Sequence, residues 1–312
     1  MTVDTPTPQS LAPDFETVLC PICRTATGNE LDFGQFKVLE CDGCGLGVLS
    51  PRPTANSMTA YYAADTYAPF LSSRKTVDVF GSIYGIVRKL SLRWKHRWVS
   101  RYANGKSLID IGCGTGEFLV HMRSRGWQVQ GVEPSPEAAR VAKDQYQLRI
   151  SEGHFDRMEA GDLSASVVTL WHALEHMHDP VSALRGIHGM LDAEGLLVIA
   201  VPNRLSLDAR LYGTEWVAYD IPRHLYHFTP DSMRQMLWLA DFEVEHFHQM
   251  PLDAVFNVFM SELNTVKRLG YWTAPLFVLR GGGTLLATLF WAMFSKQGSA
   301  VIYYARKRRH AK

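Results

Sequence analysis

A chain of 312 residues is long enough to bury a full core, and its length predicts one large domain with one or two smaller ones. Its hydrophobic fraction of 46% and charged fraction of 20% are ordinary for a globular protein. The formal net charge of +1 gives no general attraction to nucleic acid, so we expect no nucleic-acid partner.

The N-terminal segment 1–17 is polar and rich in proline. It lacks the basic start and the apolar run of a signal peptide, so we predict a disordered lead. Without a secretion signal, and with only five cysteines, the chain is predicted to be cytoplasmic, where thiols stay reduced.

Two C-x2-C pairs lie in the segment 18–55, and their spacing falls in the range of four-thiolate zinc sites. Two tight turns can each deliver two soft ligands to a tetrahedral ion. Two disulfides or a redox-active pair are the alternatives, which a reducing compartment disfavours. Because four thiolates complete the coordination shell, the zinc would be structural. The predicted ligands of this zinc ribbon are Cys20, Cys23, Cys41 and Cys44.

The segment 56–105 is predicted to be a helical linker or cap. Residues 81–106 carry apolar residues at helical spacing with basic residues between them. The favoured interpretation is an amphipathic helix that covers a sheet and exposes a basic face. The alternative is a surface for anionic lipid or a phosphate-bearing substrate.

A strand, a glycine loop and a helix follow in SLIDIGCGTGEFLVHM at 107–122. Glycines at alternate positions let the backbone approach a ligand closely and let the helix pack on the strand. WQVQGVEPS at 127–135 predicts a second strand that ends in Glu133, at a distance suited to an acid that binds ribose hydroxyls. This pattern predicts a nucleotide-binding site.

DIGCGTG at 110–116 resembles the first motif of class I S-adenosylmethionine (SAM)-dependent methyltransferases. The resemblance implies an α/β fold over 106–312: a Rossmann-like sheet of seven strands, with helices on both faces and a final antiparallel strand. It also implies that the glycine loop lies against the methionine part of SAM. The SAM-binding residues expected from it are Asp110, Gly112, Gly114, Gly116, Glu133 and Trp171.

Later segments extend the resemblance to bacterial small-molecule methyltransferases with an LEH-type motif. This group includes ubiquinone-biosynthesis O-methyltransferases, and some members, including sugar C-methyltransferases, also carry a cysteine module in front. The matching segments are SVVTLWHALEHMHDP (166–180), LDAEGLLVIAVPN (191–203) and WVAYDIPRHLYHFTPDSMRQML (216–237).

The loop HALEH lies between the fourth predicted strand and a helix. Asp179-Pro180 predicts that the helix begins at 180, since Asp is a good N-cap and Pro fits the first turn. His172, Glu175 and His176 therefore face the cleft at the carboxyl ends of the strands.

Three hypotheses remain open for these three residues. His172 or His176 could act as general base towards a substrate hydroxyl. The three side chains also resemble the E-x-x-E-H arrangement of metal-assisted methyltransferases, with His in place of the first Glu; a divalent cation there would need a further ligand such as His224. Alternatively, they only brace the loop.

The segment DIPRHLYHFTP at 220–230 is a second candidate wall of the site, and we count His224 among the candidate catalytic residues. Thr229-Pro230 predicts another helix start. Tyr219 and Phe228 either line the acceptor pocket or belong to the core.

An apolar helical insertion is predicted at 251–297, with its most apolar part at 274–294. SAVIYYARKRR at 299–309 resembles the closing antiparallel strand, beside residues 242–250. A single membrane crossing between two strands of one sheet is impossible. We therefore expect a buried helix or a pocket wall in preference to a peripheral membrane contact.

The sequence thus predicts transfer of a methyl group from SAM to a small-molecule acceptor, on a hydroxyl oxygen of a sugar, lipid-linked or quinone-like intermediate. The alternative is a SAM-binding scaffold or sensor whose zinc ribbon docks a macromolecule. The intact glycine loop and Glu133 argue against that alternative.

Overall fold

The computed structural model describes residues 14–25, 27–62, 79–157 and 164–309. In this part of the chain the strands are β1 (Phe15–Glu16), β2 (Thr27–Phe33), β3 (Phe36–Cys41), β4 (Gly47–Leu49), β5 (Arg52–Pro53), β6 (Ser107–Ile111), β7 (Gln128–Glu133), β8 (Ile150–Glu152), β9 (Ala165–Trp171), β10 (Leu191–Pro202), β11 (Tyr226–His227), β12 (Phe242–Gln249) and β13 (Ala300–Lys307). The α-helices there are α1 (Val79–Tyr102), α2 (Glu117–Arg123), α3 (Pro136–Tyr146), α4 (Pro180–Met190), α5 (Leu207–Tyr212), α6 (Pro230–Leu239), α7 (Pro251–Leu269) and α8 (Phe277–Ser295).

Seven strands form the main sheet in the order β12-β13-β10-β9-β6-β7-β8. The five adjacent strands β8, β7, β6, β9 and β10 are parallel, whereas β13 is antiparallel to both β10 and β12. The predicted Rossmann-like α/β sheet of seven strands with a final antiparallel strand is confirmed. The carboxyl ends of its parallel strands meet at one edge, where ligands bind in such folds.

Both faces of the sheet are covered, as its long apolar strands require. Ile109 and Ile111 of β6 belong to one buried cluster, while Leu108, which points to the opposite face, belongs to the other. Residues of α1, including Trp98 and the fully buried Val99, pack on the second cluster. The helix therefore covers the sheet, which is the favoured interpretation of the 81–106 segment.

Two helix starts lie where the sequence placed them. The side chain of Asp179 accepts a hydrogen bond from the Ser182 N–H at the start of α4, and Pro180 occupies the first turn. Thr229 caps α6 through the Ser232 N–H, with Pro230 in the first turn. Both satisfy backbone donors that a helix start leaves free.

The N-terminal module is a four-stranded sheet in the order β11-β4-β3-β2. Its fourth strand, β11, comes from the segment after the fifth strand of the main sheet, and Tyr226 pairs with Val48. The cysteine module is therefore joined to the large domain by a shared sheet, which the sequence did not indicate.

The predicted disordered lead at 1–17 is wrong for its last residues. Phe15–Glu16 pairs with Arg52–Pro53, and the Arg52 guanidinium binds Glu16 at 2.7 Å. Residues 1–13 lie outside the described residues, as do 63–78 of the predicted helical linker.

Two helices, α7 and α8, connect the neighbouring antiparallel strands β12 and β13. The α8 helix is long and apolar enough to cross a membrane by length and composition, but only 17% of its apolar window is buried. The prediction of a buried helix is therefore wrong, whereas the pocket wall stays a prediction. The apolar residues along the segment correctly predicted a helix. They do not determine whether that helix packs in a core or lies on the surface.

Candidate active site

The carboxyl ends of β6 and β9 bring Asp110 and Thr169 together. Asp110 Oδ1 accepts a hydrogen bond of 2.6 Å from the Thr169 hydroxyl, and both side chains are buried. Burial raises the pKa of Asp110 to about 7, although the Thr169 hydrogen bond and the charge of Lys95 oppose the shift. This carboxyl therefore anchors the end of the strand that leads into the glycine loop.

The three loop glycines have positive φ angles of 74°, 55° and 81° at Gly112, Gly114 and Gly116. A Cβ at Gly112 would lie 2.8 Å from the Ala173 Cβ, and one at Gly116 would lie 2.3 Å from Leu148 Cδ1. At Gly114 no described atom lies within 4 Å of such a Cβ. The two outer glycines are thus required for packing, and the middle one leaves its backbone open to a ligand.

Glu133 at the end of β7 binds the glycine loop. Its Oε2 accepts the Gly114 N–H at 2.7 Å, and its Oε1 accepts the Ser135 N–H at 2.9 Å. Burial raises the pKa of this carboxyl, and the two backbone hydrogen bonds act against that rise. The predicted cofactor acid therefore lies in contact with the predicted cofactor loop.

Lys95 of α1 also reaches this edge, which the sequence reasoning missed. Its Nζ lies 4.3 Å from the centre of the Trp171 ring, a cation–π distance. Burial lowers the pKa of Lys95, while the charges of Asp253 and Asp110 raise it. A signal was available, because Lys95 lies three residues after Leu92 and four before Val99, on the apolar face.

His172 directly follows β9 and adopts the left-handed backbone conformation, with φ at 54°. Its Nε2 lies 2.8 Å from Asp253 Oδ2, and its Nδ1 lies 3.5 Å from Glu175 Oε1. Burial lowers the pKa of His172, but the two carboxylates outweigh it and raise the pKa to about 9. The imidazole therefore carries a proton at neutral pH, which makes it unsuited as a general base.

Glu175, His176 and His224 form a compact cluster. One ligand atom from each side chain lies within 4.8 Å of those from the other two. Glu175 is fully buried, and its carboxylate oxygens accept no hydrogen bond from the described residues. The metal hypothesis grouped His172, Glu175 and His176 and named His224 as a further ligand. The structure brings Glu175, His176 and His224 together, whereas His172 Nε2 contacts Asp253.

Both histidines of this cluster have one nitrogen engaged. His224 Nδ1 lies 2.8 Å from the Ala218 carbonyl oxygen, and His176 Nδ1 lies 3.0 Å from that of Arg223. A carbonyl only accepts, so each Nδ1 donates. The other ring nitrogen of His224, Nε2, lies 3.8 Å from Asp220 Oδ2. Burial and the neighbouring His224 lower the pKa of His176 to about 4, so His176 is neutral at pH 7.

Two residues of the second predicted wall belong to the core. Phe228 is buried, and the buried Tyr219 ring lies 5.2 Å from that of Phe33. Both belong to the buried cluster in which the N-terminal module meets the large domain, and Tyr219 also lines a cavity beside Glu40 and Arg204.

The four cysteines of the paired motifs form a second cluster, with their sulfur atoms all within 4.8 Å of one another. All of the chain's cysteines are free of disulfides, and Cys20 Sγ lies 3.6 Å from Cys44 Sγ. Tetrahedral zinc with Zn–S bonds of about 2.3 Å separates its sulfurs by roughly 3.8 Å. The geometry fits a zinc site.

The cysteine module is linked to the histidine cluster through the backbone. The Leu49 N–H donates to the Leu225 carbonyl at 3.0 Å, and the Leu225 N–H donates to the Glu175 carbonyl at 2.8 Å. In addition, the Tyr62 hydroxyl lies 3.0 Å from His176 Nδ1. The module thus fixes the position of the loop that carries Glu175 and His176.

Comparisons with known proteins agree with this architecture. Residues 86–247, about half of the chain, match the family of the methyltransferase domain. Ubiquinone biosynthesis O-methyltransferase of Thiobacillus denitrificans is 26% identical over 186 residues, which cover 54% of this chain and 79% of that protein. The protein of the same name from Marinobacter nauticus is 29% identical over 171 residues, which cover 50% of this chain and 71% of the relative.

Two further likenesses are more limited. An uncharacterized methyltransferase of Alkaliphilus oremlandii is 35% identical over 95 residues, covering 30% of this chain and 44% of its own. The structure of magnesium protoporphyrin IX methyltransferase from Synechocystis PCC 6803, solved with bound SAH, aligns with a TM-score of 0.53 and 11% identity, over 80% of this chain and 98% of that one. At this identity the likeness concerns the fold.

The family match spans half of the chain and includes the glycine loop, Glu133 and the histidine-bearing loop. This protein therefore belongs to the class I SAM-dependent methyltransferases, enzymes that transfer a methyl group from SAM to an acceptor, here a small molecule.

Proposed function

We propose that this enzyme methylates a hydroxyl oxygen of its acceptor, a sugar, lipid-linked or quinone-like molecule. The observation that carries the proposal is the buried Glu175 carboxylate beside the imidazole rings of His176 and His224, with one ligand atom of each within 4.8 Å of the others. A hydroxyl must lose its proton as it attacks the methyl group, and this cluster is suited to promote that loss. The ubiquinone biosynthesis O-methyltransferases, by name, also act on oxygen.

In this proposal SAM binds beside the histidine cluster, at the carboxyl ends of β6 and β7. The open backbone at Gly114 receives the methionine part, and Glu133 binds the ribose hydroxyls. Asp110 and Trp171 complete the SAM site, where the indole N–H of Trp171 has no acceptor among the described residues. Methyl transfer is an in-line displacement, so the chain's task is to align the acceptor oxygen about 3 Å from the methyl carbon.

The cluster of Glu175, His176 and His224 fits a divalent cation. One carboxylate and two imidazoles are ligands that first-row divalent metals accept. The hydrogen bond from His224 Nδ1 to the Ala218 carbonyl fixes the tautomer, as outer partners of metal-binding histidines do. A cation bound there would lower the pKa of a coordinated hydroxyl. Among the alternatives, neutral His176 could take the proton directly.

His172 has a positioning role in this proposal. Its protonated ring lies between Glu175 and Asp253, so it balances the charge of the buried Glu175 carboxylate. It also ties the loop after β9 to the first turn of α7.

Glu175→Gln tests the proposal, because the amide keeps the size of the side chain and removes its charge. We expect turnover to fall by about a hundredfold or more, with SAM affinity within about threefold of wild type. Steady-state kinetics and calorimetric titration with SAM measure the two effects. The exposed Glu194→Gln is the matched control and should behave as wild type. Wild-type turnover in Glu175→Gln would refute the role of the cluster.

Mn²⁺ titration followed by electron paramagnetic resonance separates a cation from a direct base. Mn²⁺ prefers oxygen and nitrogen ligands, so it does not compete for the cysteine cluster. Binding of Mn²⁺ to wild type and its loss in Glu175→Gln would support the cation. Absence of binding, together with full turnover after chelation, would assign the proton to His176.

We further propose that Cys20, Cys23, Cys41 and Cys44 hold a structural zinc ion. Because the module shares a sheet with β11 and reaches Glu175 through Leu225, its role is to fix the acceptor side of the site. Metal analysis of the purified protein, with a matched Cys41→Ser variant, measures this zinc.

A further inference from the structure

The α8 helix packs on the enzyme along one narrow stripe. Its buried residues are Gly281, Thr288 and Ala292. Steps of seven and eleven residues return to nearly the same direction on an α-helix, so these residues form a single line. Gly281 allows the closest approach, since a Cβ there would lie 3.3 Å from the Phe259 ring of α7.

Most of the remaining circumference of α8 is apolar and exposed. Leu279, Phe290 and Phe294 have 75%, 65% and 72% of their surface accessible. Other large apolar residues of the helix and the turn before it are exposed in the same way: Tyr271, Trp272, Leu276, Val278, Leu286, Trp291 and Met293. Exposed apolar surface of this extent marks an interaction site.

The angular width of this surface indicates what covers it. At 100° per residue, Val278, Leu279, Phe290 and Trp291 point in directions spread over more than half of the helix circumference. A packed partner helix covers a stripe of about 100°. A lipid layer, in contrast, surrounds side chains on all outward sides. The width therefore favours lipid over a second protein surface.

The charges of the segment also fit a lipid surface. Between Gly270 and Gly298 the chain contains no Asp or Glu. The exposed Lys267 and Lys296 lie at the two ends of the apolar surface, and Arg280 within it is paired with Glu262 at 2.9 Å. Tyr271 and Trp272 precede the helix, and such rings favour the boundary between lipid and water. Basic ends and an apolar face attract anionic membranes.

Both ends of the insertion are fixed to the sheet, which excludes a single crossing. The Gln249 side chain donates to the Ala292 carbonyl at 2.7 Å, and Asn257 donates to the Ser299 hydroxyl at 2.8 Å. β12 and β13 are direct neighbours in one sheet. The helix can therefore lie in the interface of a membrane while the sheet stays outside.

We propose that the outer face of α8, with the turn at 271–276, docks the enzyme on an anionic lipid surface. The docking would set the active site beside the membrane, because α7, which packs on α8, carries the Asp253 that binds His172. An acceptor with an apolar end in the bilayer would then reach the site; this part rests on the proposed methyl transfer to a lipid-linked or quinone-like acceptor.

Flotation of the full chain with vesicles tests the docking without SAM or acceptor. The vesicles contain phosphatidylglycerol and phosphatidylcholine, or phosphatidylcholine alone. Wild type should float with both kinds, and more strongly with the anionic ones. The variant Leu279→Gln with Phe290→Gln and Phe294→Gln should lose vesicle affinity by about a hundredfold or more. Circular dichroism and SAM titration verify that this variant is folded.

A single Leu279→Gln, expected to lose about tenfold in affinity, is matched with Leu239→Gln, an exposed leucine outside the insertion that should bind as wild type. Equal flotation of wild type and the triple variant would overturn the proposal. So would a wild-type dimer, measured by light scattering, that the triple variant breaks while neither protein floats. Because no step uses turnover, failure of docking is distinguishable from failure of the methyl-transfer proposal.

Discussion

The proposed donor side and the proposed acceptor side of the active site are built in different ways. On the donor side, the Gly114 N–H and Glu133 are joined across only 19 residues, within one strand–helix–strand unit. On the acceptor side, His172 meets Asp253 across 81 residues, and Tyr62 meets His176 across 114. The glycine loop and Glu133 of the proposed donor side are a local unit of the chain, to which β9 adds Trp171. The proposed acceptor side is assembled from the N-terminal region, the loop after β9 and the insertion.

Because of this difference, substitutions in different parts of the chain should affect SAM binding and turnover separately. The local unit depends mainly on its own glycines and acid, so changes far from it should leave SAM binding intact. An assembled side depends on every segment that contributes to it. Changes far from the histidines, in the cysteine module or in α7, should therefore reduce turnover while SAM still binds.

The largest expected effect comes from Cys41→Ser, which removes one ligand of the proposed zinc. Structural zinc supplies much of the folding free energy of small modules, about 10 kcal/mol or more in zinc-finger peptides. We expect loss of zinc and a fall in turnover of at least about a hundredfold, because Glu175 and Leu225 lose their support. SAM affinity should change by less than about threefold.

Metal analysis, kinetics and SAM titration measure the three effects of Cys41→Ser. Cys113→Ala is the control, since this cysteine lies in the glycine loop and should keep the zinc. A parallel loss of SAM binding and turnover in Cys41→Ser would show that the donor side and the acceptor side do not depend on different parts of the chain.

Glu133→Ala should give the next largest effect, and on the donor side. Removing a carboxylate that binds the Gly114 N–H and, as proposed, the ribose should weaken SAM binding by about ten- to a hundredfold. Calorimetric titration measures the change. Glu152→Ala is the matched control, because Glu152 ends the neighbouring strand but is exposed and pairs with Lys143. Unchanged SAM affinity in Glu133→Ala would remove Glu133 from the cofactor site.

Asp253→Asn should have the smallest effect, and it tests the role of His172 on the acceptor side. The pKa of His172, raised to about 9 chiefly by Asp253 against the effect of burial, should fall by about one unit or more. NMR titration of the imidazole measures this pKa. Asp144→Asn, an exposed change on α3, should leave it unchanged.

For the same variant we also expect a destabilisation that depends on pH. The pKa of His172 is higher in the folded chain than the ordinary value of 6.5, so the pairing stabilises the fold fully below pH 6.5. This contribution is lost as the pH rises through about 9. The difference in unfolding free energy between wild type and Asp253→Asn should therefore shrink from pH 6 to pH 10. A difference that is constant over this range would show that His172 is not the group involved.

Part of this enzyme could be predicted from neighbouring residues alone. The glycine loop and Glu133 were correctly placed together, because backbone conformation and strand order are set by short stretches of chain. The starts of α4 and α6 followed from Asp179-Pro180 and Thr229-Pro230, since capping is local. The close approach of the four cysteines also followed from their spacing.

Tertiary structure alone decided the acceptor side. His224 joins Glu175 and His176 because β11 adds to the N-terminal sheet, a pairing between segments that no periodicity links. His172 is protonated because Asp253 arrives from a distant helix. Hydropathy identified α8 as an apolar helix, but whether such a helix faces a core or the outside depends on which surfaces the rest of the chain leaves for it.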